Sequence, residues 1–180
     1  MSVAAFIDSS VPRVYLAGKI AIHDWRHLLV PGLNNASATE SWLPADKFVY
    51  VGPFFIACRH GCYHGRNQHG AFLRGERACV EPDYFTQREI YLRDNSALDQ
   101  AALVFTYIEQ PDCYGTLTEI GRASLSASRI VICFAPGIDT SEFWYATESA
   151  HATYRDVEKH QLKTILNLEV AKTPVWRGGN

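Results

Sequence analysis

A carboxylate placed just after a loop-to-helix junction is the strongest chemical signal in this sequence of 180 residues. Glu119 follows Gly115, where the backbone can approach a ligand closely. We expect the positive end of the helix dipole to keep the carboxylate of Glu119 ionised. An ionised carboxylate can act as a nucleophile or stabilise a cationic centre. The alternative is an ordinary glutamate in the first turn of a solvated helix, and spacing alone does not separate the two interpretations.

Two apolar runs flank this junction and predict the elements that hold it. The first run covers residues 101–108 and the second covers residues 130–134. Both are rich in β-branched and aromatic residues, as strands are, and the segment between them has room for one helix. A βαβ unit is therefore predicted, with Glu119 near the carboxyl edge of a parallel sheet. Open α/β sheets bind their ligands at that edge.

The remaining patterns predict further strands and helices around this unit. The strands are expected at 13–18, 48–51 and 163–168, helices at 20–29, 84–100 and 143–161, and a loop at 34–40. Together these elements predict an α/β fold, a Rossmann-like doubly wound sheet of about five parallel strands flanked by helices.

A long irregular segment follows the second predicted strand. Residues 54–82 are rich in Gly, His, Arg and aromatic residues and show no sustained period. Long loops in compact domains commonly carry binding. We therefore predict one domain over residues 1–180, with 54–82 as an irregular insertion or lid in which Phe54 and His64 stack on or hydrogen-bond a base. The alternative is a structured loop whose histidines are satisfied locally.

Cysteine and histidine alternate at every second residue from Cys58 to His64. Zinc could use four such ligands, but adjacent alternating ligands do not easily close one tetrahedron. The spacing also differs from that of the common zinc ribbons and fingers. We therefore favour the absence of a metal here, although a zinc site in this segment stays open as an alternative. We also predict no cofactor. The five cysteines are odd in number and fit reduced thiols better than a disulfide framework.

Composition limits the classes of partner. The chain is 47% hydrophobic and 20% charged, with a formal net charge of −2. This length and composition suit a single globular core. The absence of a basic field argues against a nucleic acid polymer as partner. No apolar run approaches the length of a membrane span, and residues 1–6 lack a signal-peptide pattern, so we expect a cytoplasmic protein without a membrane partner.

Three segments, by their order and spacing, resemble the nucleoside 2-deoxyribosyltransferase family, including its relatives that hydrolyse deoxynucleoside 5′-monophosphates. Residues 15–20 with 24–26 are similar to the family's opening strand and aromatic-glycine loop. Residues 93–104 are similar to its Asp-bearing helix and third strand, and residues 115–123 to its nucleophile motif. The match covers roughly half of the chain, and the nucleophile motif is its most specific part.

The resemblance implies catalytic roles for three residues. Glu119 is implied as the nucleophile at the anomeric carbon, Tyr15 as the residue that positions it, and Asp94 as the residue that holds or protonates the leaving base or orients the sugar. The implied substrate-binding positions are Gly18, Lys19, Asp24, Trp25, Cys113 and Gly115. For Trp25, a place in the core is the favoured alternative. The chemistry fits these types, because bond cleavage builds positive charge at the anomeric carbon and a second acid assists the departing base.

One departure from the family pattern bears on the reaction. Family transferases carry an Asp six residues before the nucleophile, and that position is Cys113 here. The family's nucleotide hydrolases have a small polar residue there, which favours hydrolysis or a narrower transfer. The helix start could also bind a 5′-phosphate, with Lys19, Arg26 and Arg66 as candidates to approach it. Nucleoside and nucleotide substrates both stay open.

Two other functions also stay open. A glycohydrolase acting on another nucleotide, such as NAD, would use the same carboxylate chemistry. A nucleotide-binding sensor would keep the fold without turnover, although the joint presence of Tyr15, Asp94 and Glu119 argues against it. The resemblance further implies at least a homodimer whose sites neighbouring subunits complete, with Trp144 and Tyr145 as candidates for the subunit contact.

Overall fold

The computed structural model of the protein describes residues 10–20, 24–33, 40–53 and 87–175. Its strands are β1 (Arg13–Ala17), β2 (Leu43–Pro44), β3 (Val49–Gly52), β4 (Leu103–Ile108), β5 (Arg129–Phe134) and β6 (Ala152–Tyr154). Its α-helices are α1 (Gln87–Gln100), α2 (Tyr114–Ala123), α3 (Trp144–Glu148) and α4 (Leu162–Ala171). Among the described residues, no helix is long and apolar enough to cross a membrane.

The described strands form one six-stranded sheet in the order β2-β3-β1-β4-β5-β6. From β3 to β6 all neighbours pair in parallel, whereas β2 pairs antiparallel with β3 at the edge. The α/β class is thus confirmed, and the sheet is mixed, with a short edge strand that the sequence did not predict. This architecture is consistent with a Rossmann-like fold. The insertion expected at 54–82 lies outside the described residues.

The order of the strands creates a switch point between β1 and β4. The chain places β3 on one side of β1 and then adds β4, β5 and β6 on the other side. Connections therefore leave β1 and β4 in opposite directions. In open α/β sheets, ligands bind beyond the carboxyl ends of the strands at such a point. The loops that follow β1 and β4 meet there.

Side chains alternate between two buried cores, one on each face of the sheet. The face that carries Tyr15 and Val104 is covered by α1, α2 and α3. The opposite face, which carries Leu16 and Phe105, is covered by α4 and by residues 24–33. Burial on both faces explains why the central strands read as nearly continuous apolar runs.

The prediction of a last strand at 163–168 is wrong, because those residues lie in α4. Leu162, Leu166 and Val170 are spaced four residues apart and face the core, which is a helical period. The strand at this edge is β6, inside the region that was expected to be a helix at 143–161. It has only three residues and is incompletely buried, so it produces no periodic signal.

The helix expected at 20–29 is also wrong over its described part, where only a 3-10 turn from Trp25 to Leu28 forms. Asp24 precedes that turn with an extended backbone, and its side chain accepts a hydrogen bond from the Arg26 amide at 3.0 Å. An Asp in this position starts a turn and cannot lie inside a continuous helix. Residues 34–39 of the predicted loop and 84–86 of the predicted helix lie outside the described residues.

A buried carboxylate anchors α4 to the edge of the sheet. Glu169 is fully buried and accepts hydrogen bonds from Arg129 on β5, Tyr154 on β6 and Lys172. Burial alone would raise the pKa of Glu169, but the hydrogen bonds from these three partners outweigh it and lower the pKa. The carboxylate therefore stays ionised and stabilises this corner of the fold.

Candidate active site

The centre of the site is a hydrogen bond between β1 and α2. The hydroxyl of Tyr15 donates to Oε1 of Glu119 at 2.5 Å. Tyr15 is fully buried in β1 beside Val104 of β4. Because α2 follows β4 directly, it packs over β1 and β4 on the face that carries Tyr15. The fold thereby joins two residues that the sequence analysis selected separately.

The pattern of α2 explains why Glu119 points toward this tyrosine. Thr116, Ile120 and Ala123 are buried and form a stripe with helical spacing that faces the sheet. Glu119 lies next to Ile120, at the border of this stripe, so its side chain reaches the sheet while remaining only partly buried. A carboxylate in such a place can contact both the protein and a ligand.

Burial raises the pKa of Glu119 from its ordinary 4.5 to about 7. The hydrogen bond from Tyr15 and the positive charge of Arg26 act in the opposite direction and limit the rise. We expected the helix dipole to keep Glu119 ionised, but burial raises its pKa instead. At neutral pH the protonated and ionised forms of this carboxyl are both populated.

Helix α1 brings Asp94 to the same face of the sheet. A Cβ atom added at Gly52 would lie 3.2 Å from the ring of Tyr15 and 3.3 Å from the Cβ of Ala97. The bare backbone of Gly52 therefore lets the tyrosine ring and α1 pack closely. Asp94 lies one turn before Ala97 on the same side of α1. This turn places it close enough for its carboxyl to interact electrostatically with Glu119.

The environment of Asp94 also favours its protonated form. Burial raises the pKa of Asp94 well above its ordinary value, and the negative charge of Glu119 raises it further. Arg26 and Arg93 oppose this rise without cancelling it. Ionised Glu119 disfavours a second charge nearby, so it favours the protonated form of Asp94. A carboxylate beside a carboxylic acid is the arrangement that glycosidic bond cleavage needs.

A surface ion pair aligns the two helices that carry these groups. Arg122 on α2 donates to both carboxylate oxygens of Asp99 on α1, at 3.0 and 2.6 Å. Both side chains are substantially exposed, so the pair contributes little to stability. The pair links α1 and α2 one turn beyond the site.

A buried ion pair lies behind the site. Arg26 and Asp24 are both almost completely buried, and Nη1 of Arg26 lies 3.0 and 2.9 Å from the two carboxylate oxygens of Asp24. Arg26 also donates through Nε to the carbonyl of Leu16 at 2.7 Å and through Nη2 to the carbonyl of Gly18 at 2.5 Å. These contacts occupy the guanidinium from inside the protein. Arg26 is therefore not placed to approach a phosphate, as the sequence analysis considered, and Asp24 faces Arg26 where a substrate contact was expected.

Gly18 and Trp25 also support the site from within. A Cβ at Gly18 would lie 2.9 Å from the carbonyl oxygen of Tyr107 and 3.2 Å from the ring of Trp25. The close approach that requires glycine is therefore to the protein itself. Trp25 is fully buried and meets the Tyr107 ring edge-on, with 5.6 Å between the ring centroids. Both residues were candidates for substrate contact, with the core as the favoured alternative for Trp25; the structure buries Trp25 in the core and packs Gly18 against Tyr107 and Trp25.

The loops after β1 and β4 are joined across the switch point by an ion pair between Lys19 and Asp112, whose Nζ and Oδ2 lie 2.5 Å apart. The next residue, Cys113, is 3% exposed and belongs to the core, and burial raises the pKa of its thiol. The position of Gly115, unlike that of buried Cys113, is open: a Cβ atom there would meet no described atom within 4 Å. Nothing in the described protein requires glycine at this position, which leaves room for a ligand at the start of α2.

Several predicted positions lie outside the described residues. These are Phe54, His64, Arg66 and the alternation of cysteine and histidine from 58 to 64. Within the described part of the chain, no group of three or more potential ligands could hold a metal ion.

Sequence reasoning missed the roles of Arg26 and Gly52. An available signal was the placement of Asp24 two residues before Arg26, which is typical of an aspartate that caps a turn and pairs with the arginine it positions. Gly52 carried no comparable signal, since its role depends on a ring contributed by another strand.

Comparison of the chain with models of known protein families and with curated proteins finds no match.

Proposed function

We propose that the protein cleaves, or transfers at, the N-glycosidic bond of a deoxynucleoside, a nucleoside or a 5′-monophosphate of either. One observation carries the proposal: the carboxyl of Glu119, which accepts a hydrogen bond from Tyr15, interacts electrostatically with that of Asp94, whose pKa burial raises well above its ordinary value. This pair stands at the carboxyl edge of the sheet, close to the switch point between β1 and β4. A nucleophile and a proton donor with separate protonation are the two groups that this reaction class requires.

The first step forms a covalent intermediate. Tyr15 engages Oε1 of Glu119, and the described residues provide no donor for Oε2, which is therefore the attacking atom. Oε2 forms a bond to the anomeric carbon while the bond from that carbon to the base nitrogen breaks. The electron pair of the broken bond leaves with the base, which takes the proton of Asp94. The products of this step are a free base and a glycosyl ester of Glu119.

The second step releases the sugar. A water molecule attacks the anomeric carbon, gives its proton to the Asp94 carboxylate and displaces Oε2 of Glu119. The net reaction adds one water across the N-glycosidic bond, and both carboxyl groups return to their starting states. A second base that attacked in place of water would complete a transfer with the same proton balance.

Water is the favoured acceptor. Cys113 has a buried thiol where the family's transferases have an aspartate, and the carboxylate of the neighbouring Asp112 is paired with Lys19. No unpaired carboxylate is therefore available at these two positions to a second base. Lys19 retains 37% side-chain exposure and is the described cation best placed to pair with a 5′-phosphate. The proposal requires no metal and no cofactor. It includes a homodimer or larger homo-oligomer that works in the cytoplasm.

The test is an incubation of the protein with a panel of nucleosides, deoxynucleosides and their monophosphates, with and without a second free base. Chromatography follows the products. Free base without an acceptor supports hydrolysis, and a new nucleoside only with an acceptor supports transfer. Glu119→Ala should abolish base release, whereas Glu148→Ala, an exposed glutamate on α3, should not.

Contrary outcomes are equally specific. Base release retained by Glu119→Ala would remove the nucleophile assignment. Ligands that raise the melting temperature without releasing base would indicate a nucleotide-binding sensor. Release of nicotinamide from NAD, with no reaction of the nucleosides, would identify a different glycohydrolase.

A further inference from the structure

The end of β1 loses one of its two neighbours before the site is reached. On one side, β3 pairs with β1 only as far as Tyr15, which lies opposite Gly52. On the other side, β4 continues to pair as far as Ala17, opposite Thr106. Among the described residues, the last part of β1 therefore has no neighbouring strand on the side that β3 has left. Open strand edges expose unpaired backbone groups.

Arg26 closes that open edge. Carbonyl groups alternate in direction along a strand, and the carbonyl of Arg13 faces β4, where it accepts from the Ala102 amide at 2.8 Å. The carbonyls of Leu16 and Gly18 therefore face the side of β3. These are the two carbonyls to which Arg26 donates, at 2.7 and 2.5 Å. The guanidinium replaces the strand that is missing there and holds the backbone immediately after Tyr15.

The same guanidinium interacts electrostatically with the carboxyl of Glu119. The titratable groups that interact with Glu119 are Tyr15 on β1, Tyr50 on β3, Asp94 on α1, Cys113 before α2, and Arg26. Burial raises the pKa of each of the first four, which favours their neutral forms. Arg26 is the cation among these groups, and its charge is partly balanced by Asp24.

We infer that Arg26 is a positioning residue, which fixes the end of β1 so that Tyr15 meets Glu119 and favours the ionised form of the Glu119 carboxylate by its buried charge. The inference rests on the proposed function for its consequence in catalysis. The arrangement of Arg26, Asp24 and the two carbonyls stands independently of that function.

The charge is tested by two variants with opposite expected effects. Arg26→Met keeps the length of the side chain and removes its charge, so the acid limb of the pH profile of kcat/KM should move up by about one pH unit. Asp24→Asn removes the balancing negative charge, so the limb should move down. A general loss of structure would move both variants in the same direction, and that result would overturn the inference.

Arg26→Lys separates charge from geometry. It keeps the positive charge but lacks the fork that reaches two carbonyls, so kcat should fall at least about tenfold while the acid limb stays in place. Wild-type kcat in this variant would remove the positioning role. Should Arg26→Met not fold, Arg26→Lys and Asp24→Asn together decide the inference.

A second readout does not depend on turnover. Carbon-13 NMR of labelled glutamate carboxyls, assigned with Glu119→Gln, gives the titration midpoint of Glu119 directly. A higher midpoint in Arg26→Met supports the inference even if the wild-type protein releases no base, in which case only the proposed function fails. An unchanged midpoint refutes the inference even if the wild-type protein is active.

Discussion

The hydroxyl of Tyr15 lies 2.5 Å from Oε1 of Glu119, across 104 residues of chain. Glu119 has this one side-chain donor among the described residues, and burial raises its pKa to about 7. Glu169 is the opposite case, because three donor side chains surround it and lower its pKa. Glu169 is arranged for stability. The buried environment of Glu119 disfavours its ionised form, and such perturbed carboxyl groups are typical of functional sites.

Glu119→Gln should stabilise the protein in a pH-dependent way. The folded state holds a proton on Glu119 between pH 4.5 and about 7, where the unfolded chain releases it, so stability falls as the pH rises through this window. The shift corresponds to ~3 kcal/mol above pH 7, reduced to ~2 by solvent access to the partly buried carboxyl. Urea unfolding at pH 4, 6 and 8 measures the difference.

The stabilisation should vanish at the lowest pH, where wild-type Glu119 is protonated in both states. Glu148→Gln, on the exposed face of α3, is the control and should leave the unfolding midpoint nearly unchanged. A difference between Glu119→Gln and wild type that is the same at all three pH values would contradict the raised pKa.

Tyr15→Phe should weaken catalysis most at low pH. Loss of the hydrogen bond removes a group that lowers the pKa of Glu119, so the acid limb of kcat/KM should move to higher pH. A hydrogen bond to a charged group contributes ~2 kcal/mol, which corresponds to roughly thirtyfold in rate. Tyr107→Phe is the matched control, because the Tyr107 hydroxyl donates to the carbonyl of Val157 at 2.9 Å on the opposite face. Tyr107→Phe should lose stability without moving the acid limb of kcat/KM. An equal shift of that limb in both variants would exclude the assigned role of Tyr15.

Asp94→Asn should affect substrates unequally. If Asp94 protonates the departing base, bases that leave poorly need that proton most, and their kcat should fall furthest. Rates for a series of purine and pyrimidine substrates measure the effect. Asp99→Asn, on the same helix but paired with Arg122 at the surface, should change all rates by similar small factors. A uniform loss across bases in Asp94→Asn would remove this residue from the leaving-group role.

Gly115→Ala should separate stability from function. Glycine in an exposed helical position costs ~1 kcal/mol relative to alanine, and no described atom lies near a Cβ at this position. The variant should therefore melt at a higher temperature, yet bind substrate more weakly if a ligand approaches the backbone there. Gly121→Ala, in the same helix with equally open surroundings, should gain stability without a change in KM. Equal KM values in both variants would show that no ligand approaches Gly115.

Trp144→Ala with Tyr145→Ala should dissociate the proposed oligomer. These neighbouring side chains are 64% and 75% exposed, and their rings meet edge-on with centroids 5.5 Å apart. Exposed aromatic pairs of this kind are typical of the centres of protein interfaces. Light scattering during size exclusion should give a smaller mass for the double variant than for wild type. Leu125→Ala is the control, because Leu125 is an apolar residue after α2 that is 90% exposed. A wild-type mass for the double variant would place the subunit contact elsewhere.

The sequence by itself determined the central βαβ unit and the position of Glu119 near its carboxyl edge. Both follow from local signals, because residues 101–108 and 130–134 are apolar runs of strand length and the segment between them has room for one helix. The same reasoning failed where the local signal was short or ambiguous. The three residues of β6 produce no period, and residues 163–168 include β-branched and apolar residues that resemble a short strand although they form part of α4.

Only the tertiary structure decided how the candidate residues relate to one another. Burial sets the pKa of Glu119 and Asp94, and burial depends on α1 and α2 packing together over β1. The sequence suggested Arg26 as a candidate phosphate ligand, but in the fold it is a buried partner of Asp24. Arg26 donates to the carbonyls of Leu16 and Gly18, which lie beyond the end of the β1–β3 pairing. Local periodicity reports which face of an element is apolar. It does not report which residues, distant in sequence, pack against that face, and the chemistry of this site depends on those tertiary contacts.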